Sequence, residues 1–124
     1  MNPNPVTVPA ETTVEDAMHL MREKRISSVI TEPGSDGEWG IMTQRDVLSR
    51  IVSKNRTPST VKVEEIASRP LVTTPVDTSL HDCAEIMSES NIRRMVVMDN
   101  NNQPVGIISD TDIFASVEQF GLPE

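Results

Sequence analysis

One offset constrains this chain more than any other feature. Shifted by 66 residues, the sequence aligns with itself without a gap from Val6 to Leu48. The identical pairs are Val6/Val72, Thr7/Thr73, Pro9/Pro75, Thr12/Thr78, Asp16/Asp82, Met21/Met87, Glu23/Glu89, Ile26/Ile92, Gly40/Gly106, Ile41/Ile107 and Asp46/Asp112. That makes 11 identities in 43 positions, where typical residue frequencies give roughly two or three by chance. Similar pairs fill the gaps: Val14/Leu80, Leu20/Ile86, Thr43/Ser109 and Val47/Ile113. Two copies are too few for a solenoid, and 124 residues is the length of one ordinary domain. The economical arrangement is two small halves packed face to face around a pseudo-two-fold axis.

Each half spells the same order of elements. Val6-Thr7-Val8 is a short extended piece, broken by Pro9. Val14, Ala17, Met18 and Met21 follow at helical spacing, with Thr13 and Asp16 as a start signal. Leu80, Cys83, Ala84 and Met87 repeat this face, opened by Ser79 and Asp82. A strand is expected at Ser28 to Thr31 and again at Arg94 to Met98. After a turn rich in Gly, Pro, Asp and Asn, a second strand is expected at Glu38 to Met42 and at Pro104 to Ile108. Closing helices are expected near Gln44 to Ser53 and Asp110 to Gln119. The polar stretch Lys54 to Thr60 reads as a linker, and Val61 to Ser68 as a single helical turn. The first repeat with its linker is thus residues 1–60, and the second is residues 61–124.

Composition removes several function classes. The net charge is −8 with no basic tract, which disfavours nucleic acid and anionic membranes as partners. Three aromatics (Trp39, Phe114, Phe120) cannot build a stacking platform for single strands. One cysteine, Cys83, excludes an intrachain disulfide, and with only His19 and His81 beside it a Cys/His zinc site lacks ligands. No apolar run is long enough to span a bilayer. Met1 to Pro5 shows no secretory signal, so a cytoplasmic location is expected. No Ser-His-Asp order, P-loop or metal-ligand cluster is visible, and no enzymatic activity is expected.

The residues with chemical potential lie where the second strand meets the closing helix. The first copy reads Gly40-Ile41-Met42-Thr43-Gln44-Arg45-Asp46, the second Gly106-Ile107-Ile108-Ser109-Asp110-Thr111-Asp112. Thr43/Asp46 and Ser109/Asp112 have the spacing of an N-cap and its N3 partner, a device that stabilises by about 1 kcal/mol. Thr13/Asp16 and Ser79/Asp82 share that spacing, so spacing alone does not separate a cap from a ligand site. The same groups also suit a ribonucleoside phosphate. Backbone N–H groups at a helix start attract an anion. A hydroxyl there can donate to a phosphate oxygen, and a carboxylate can accept from both ribose hydroxyls. Glycine admits a flat ring at close range. The Asp repels phosphate, so a cation is needed; Arg93 and Arg94 supply it in the second repeat, where the first has Ser27 and Ser28.

Two copies of this pattern resemble a pair of CBS domains, a Bateman module, over roughly Asn4 to Val117. The resemblance implies an α/β (α+β) fold of two pseudo-symmetric β-α-β-β-α repeats packed sheet to sheet. It implies a regulatory module binding AMP, ADP, ATP or S-adenosylmethionine in clefts between the halves and modulating a partner protein. By the same resemblance Asp46 and Asp112 hold ribose, Thr43 and Ser109 face phosphate, and Ile41 and Ile107 line the adenine pocket. Arg93 and Arg94 match the family's basic pair, and Ser27 stands in the same place in the first repeat. A homodimer shaped as a flat disc is also implied, with Val47, Leu48, Ile51, Val52, Ile113, Phe114 and Val117 as candidate interface residues.

The chain departs from the family pattern in two places. The strands Ser28–Thr31 and Arg94–Met98 lack the usual proline. The segment that walls the adenine pocket is present before the second repeat, near Val61 to Ala67, with Val63 as the contact. Its equivalent before the first repeat falls off the N-terminus. The Ser109/Asp112 site is therefore expected to be the better one, and the Thr43/Asp46 site weak, empty or completed by another chain. The rival to a nucleotide sensor is a ligand-free dimerisation or docking module in which these residues only cap helices.

Overall fold

The computed structural model describes residues 2–3, 5–68 and 71–121. Met1, Asn4, Arg69, Pro70 and residues 122–124, which include the outer ends of the two expected repeats, lie outside the described residues. The chain begins with β1 (Asn2–Pro3). The first repeat then runs β2 (Thr7–Val8), α1 (Val14–Lys24), β3 (Ser28–Thr31), β4 (Gly40–Thr43) and α2 (Gln44–Val47). A π-type segment (Leu48–Val52) and a 3₁₀ turn (Pro58–Thr60) lead to α3 (Val63–Ile66). The second repeat follows as β5 (Thr73–Pro75), α4 (Leu80–Ser90), β6 (Arg94–Met98), β7 (Pro104–Ser109) and α5 (Asp110–Phe120). The expected order of strand, helix, strand, strand, helix therefore occurs twice. Among the described residues, no helix is long and apolar enough to cross a membrane.

The chain forms two compact units, Val6–Leu71 and Met1–Pro5 with Val72–Glu124. In the first unit β2 runs parallel to β3, and β3 antiparallel to β4. A parallel pair needs a crossover, and α1 supplies it. Thr13 caps α1 by accepting from the Asp16 N–H at 3.1 Å. Val14, Ala17 and Met21 turn inward beneath the sheet, while Met18, assigned to the same stripe by spacing, stays 37% exposed. Their partners are Val8, Val29, Met42, Val47 and Ile51. The second unit repeats this plan: β5 parallel to β6, β6 antiparallel to β7, and Cys83 and Met87 of α4 packed with Met95, Val97 and Ile108.

Several boundaries move for local reasons. The strand expected from Glu38 begins at Gly40, because the Glu38 N–H bonds to Asp36 Oδ1 at 3.0 Å and closes the preceding turn. The first closing helix is regular only to Val47. Ser49 Oγ donates to the Arg45 carbonyl (2.9 Å) and Ser53 Oγ to the Ser49 carbonyl (2.7 Å), and the Ser53 N–H reaches back five residues to Leu48 (3.0 Å). Such back-bonding by serine bends helices. α5 has Ala115 and Gln119 at the equivalent positions and stays regular for 11 residues.

The segment Val61–Ser68, which opens the second repeat in sequence, packs with the first unit. The Val14 N–H donates to the Val61 carbonyl (2.8 Å) and the Val63 N–H to the Thr12 carbonyl (2.8 Å). Ser68 and Ile41 exchange two hydrogen bonds (2.9 and 3.1 Å), extending β4 on its free edge. β1 does the same for the second unit, with Asn2 opposite Ile107. Asn2 and Ser68 are themselves 66 residues apart, as are Ile107 and Ile41. The repeat symmetry thus extends to the lead-in segments, each of which closes the sheet of the other repeat. An unpaired edge left by β4 or β7 is the physical reason that these segments settle there.

Candidate functional site

Each unit offers one strand–helix junction, and the two are built alike. In the first, β4 ends at Thr43, whose backbone stays extended (φ −110°, ψ 168°) before α2 begins. The Asp46 N–H donates to Thr43 Oγ1 at 3.2 Å, and Asp46 Oδ2 accepts from the Thr43 N–H at 2.8 Å and the Thr43 hydroxyl at 3.1 Å. In the second, Ser109 (φ −116°, ψ 165°) repeats the exchange. The Asp112 N–H donates to Ser109 Oγ at 3.1 Å, and Asp112 Oδ2 accepts from the Ser109 N–H at 2.8 Å. Both capping boxes are reciprocal. At α1 and α4, Thr13 and Ser79 accept from the N–H groups of Asp16 and Asp82; the returned carboxylate bond sets the two junctions apart from these two helix starts, and at α3 Glu65 Oε2 makes a similar one with the Lys62 N–H at 2.7 Å. Identical spacing therefore produces two different geometries, and only the junction aspartates fold back over the strand end.

Strand register decides which other residues share the junction. Val29 and Met42 face the helix-side core of the first unit, so alternation turns Ser28, Ile41 and Thr43 to the opposite face of the sheet. Ser28 stands directly opposite Thr43. In the second unit Met95 and Ile108 face the helices, and Arg94, Ile107 and Ser109 share the other face, Arg94 directly opposite Ser109. One backbone bond ties each junction together: Gln44 N–H to the Ser27 carbonyl (3.1 Å), and Asp110 N–H to the Arg93 carbonyl (2.9 Å). The structure thus brings together Ile41, Thr43, Asp46 and Ser27 in one unit, and Ile107, Ser109, Asp112, Arg93 and Arg94 in the other. Thr43, Asp46, Ser109 and Asp112 are half-buried, while Ser27, Arg93 and Arg94 are exposed.

Val63, expected as the wall of the adenine pocket, packs inside a hydrophobic core. It is 0% exposed and lies in the core of the first unit with Val14, Val29 and Ile66. The lead-in segment therefore packs in the unit that holds Thr43 and Asp46. The sequence signal for this was available in the 66-residue offset, since Ser68 maps onto Asn2, but a two-residue strand leaves no hydrophobic pattern to read.

The remaining candidates resolve as follows. Cys83 is buried in the second core, and burial pushes its thiol pKa up, with Asp82 adding to the shift and a hydrogen bond with Thr74 opposing it. Trp39 is half-buried, and its carbonyl accepts from the Leu71 N–H at 3.1 Å. His19 and His81 are exposed. Spacing did not flag that α4 gathers His81, Asp82 and Glu85, with His81 Nδ1 3.4 Å from Asp82 Oδ1 and 3.8 Å from Glu85 Oε2. All three lie in solvent.

The CBS domain family model matches residues 1–53 and 63–118 of this chain. An uncharacterised protein of Methanopyrus kandleri is 35% identical over 105 residues, 85% of this chain and 53% of its own length. The chain therefore spans about half of that relative. A CBS domain-containing protein of Bacillus subtilis is 32% identical over 108 residues, 86% of this chain and 74% of its own. Among solved structures, the hexameric CBS-CP12 protein from bloom-forming cyanobacteria is similar, with a TM-score of 0.86 and 30% identity over 100% of this chain and 72% of its own. With both repeats matched and a capped aspartate at the same place in each, the chain belongs to the CBS-domain family as a CBS-domain pair, a regulatory module family whose members often bind adenosine ligands.

Proposed function

We propose that this CBS-domain pair is a cytoplasmic, non-enzymatic sensor that binds an adenine nucleotide (AMP, ADP, ATP or S-adenosylmethionine) and modulates a partner protein. One observation carries the reading. At both junctions an aspartate folds back over the strand end, on the sheet face that also presents an isoleucine and a hydroxyl. The carboxylate suits ribose hydroxyls, the isoleucine a flat base, and the hydroxyl with the helix start a phosphate. Ligand binding shifts the population of the conformations that a partner meets, by no more than the ligand's differential affinity for them.

Self-association is part of the proposal. The interface residues expected from sequence divide: Val47 and Ile51 are buried in the first core and Ile113 packs against the second. Leu48 (61% exposed) and Phe114 (72% exposed) remain, at equivalent positions of the two closing helices, and Val52 and Phe120 are exposed as well. Exposed apolar surface of this kind marks interaction sites, and the cyanobacterial relative is described as hexameric.

The capping boxes also favour a second reading, a ligand-free docking module, because each Asp Oδ2 already serves its own helix. A thermal-shift screen against AMP, ADP, ATP, S-adenosylmethionine and GTP at ~1 mM separates the two. A ligand at 100 times its Kd stabilises by about 2.7 kcal/mol, which moves Tm by roughly 8–14 °C for a chain of this size. The sensor reading expects a shift with adenine ligands that shrinks in Asp46→Ala or Asp112→Ala by more than those variants lower the ligand-free Tm. No shift with any of the five leaves the docking module.

A further inference from the structure

We infer that the second unit carries a docking surface at the start of α4, and that its occupant is a single helical turn of the character of Val61–Ile66, running directly into β1. The inference depends on no ligand. It rests on how the first unit covers the matching surface. There the Val14 N–H donates to the Val61 carbonyl (2.8 Å), the Val63 N–H to the Thr12 carbonyl (2.8 Å) and the Glu64 N–H to the Ala10 carbonyl (3.2 Å). Val61, Val63, Ile66 and Ala67 join Val14, Val47 and Ile51 in one apolar cluster. Ala10 is 3% exposed and Val14 is fully buried.

In the second unit the same surface is open. Val76 stands for Ala10 and is 60% exposed. Leu80 stands for Val14, Ile113 for Val47 and Val117 for Ile51, and each of these three is only half-buried. Apolar side chains left uncovered together mark a place where another segment binds. Continuity with the pairing of β1 and β7 identifies that segment. Ser68 pairs with Ile41 beside β4, and Asn2 pairs with Ile107 of β7. The offset that carries Ser68 onto Asn2 carries Ala67 onto Met1, so the place matching Val61–Ile66 lies immediately ahead of Met1. A turn entering from there offers the Leu80 N–H and the Thr78 and Val76 carbonyls the backbone groups that Val61, Val63 and Glu64 offer in the first unit. It needs apolar residues where Val61, Val63 and Ile66 stand, because those three enter the first core. α3 itself cannot serve, since Val63 and Ile66 are already fully buried there.

Joining a second copy of Val61–Ile66 directly ahead of Met1 in the full chain tests this. Tm should rise by at least about 4 °C, and amide exchange at Leu80 should slow by at least about tenfold as its N–H becomes enclosed. The same extension with serine in place of its two valines and its isoleucine should do neither. Val76→Asp, at an exposed position, should move Tm of the unextended chain by no more than about 2 °C and remove most of the gain in the extended one. An extension that changes neither Tm nor Leu80 exchange, or a serine form that matches the apolar one, overturns the proposal. So does Leu80 exchange that slows in the unextended chain as protein concentration rises, because a second copy is then the occupant.

Discussion

Residues 66 apart in the two repeats occupy the same place in the same fold, so each difference between them is a substitution made by nature. At the end of the first central strand, Thr31 stands where the second repeat has Val97. Both are buried, and the Thr31 hydroxyl has no hydrogen-bond partner among the described residues. At the end of the first helix, Arg25 and Asn91 both adopt left-handed backbone, with φ of 55° and 53°. Asparagine tolerates that conformation, and arginine does so at a cost. In the closing helix, Ser49 stands for Ala115, and the helix loosens into a π-type segment. The first repeat thus accumulates local strain that the second avoids. It also holds the lead-in segment Val61–Ser68, whose Val61, Val63, Ile66 and Ala67 fold into its core. The difference teaches that a fold tolerates several small local penalties where an added apolar segment offsets them.

Breaking that offset should have the largest effect. Ile66→Ala deletes a fully buried side chain of the lead-in segment and is expected to cost about 2–5 kcal/mol in chemical denaturation. Hydrogen exchange should show amides of β2, β3 and β4 losing protection first; losses starting in β6 and β7 would mean that the segment does not support the first repeat.

A smaller effect is expected where the repeats differ by one hydroxyl. Thr31→Val makes the first repeat match the second and should raise stability by about 1 kcal/mol, by removing a buried polar group without a partner. The reciprocal Val97→Thr should lower it by about 1–3 kcal/mol. A loss from Thr31→Val would show that its hydroxyl is satisfied by bound water.

The smallest change is Arg25→Asn, which copies Asn91. It should gain about 0.5 kcal/mol by easing the left-handed cap of α1. Thermal denaturation read beside Asn91→Arg checks it, because the reciprocal change should lower Tm by a similar amount.

Much of this was legible because it rests on local chemistry. The positions of β3 and β6 follow from short apolar runs bounded by turn residues, and their ends agree with the structure to the residue. The caps at Thr13, Thr43, Ser79 and Ser109 follow from residue type alone. The reach of the junction aspartates was not legible, since Asp16 and Asp46 have the same spacing from their caps. What separates them is the chain that enters: β4 arrives at Thr43 as a paired strand, and β3 holds its extended backbone in register.

The amino-acid sequence by itself determined the doubled architecture, the element order and the two capped junctions. These depend on residue type and on spacing within a few turns of chain, where hydrophobic period and side-chain hydrogen bonding act directly. Only the tertiary structure decided which core Val61–Ser68 packs into, and with it the place of Val63. That choice depends on which sheet edge is open and which core has room, and both exist only after residues far apart in the chain have come together.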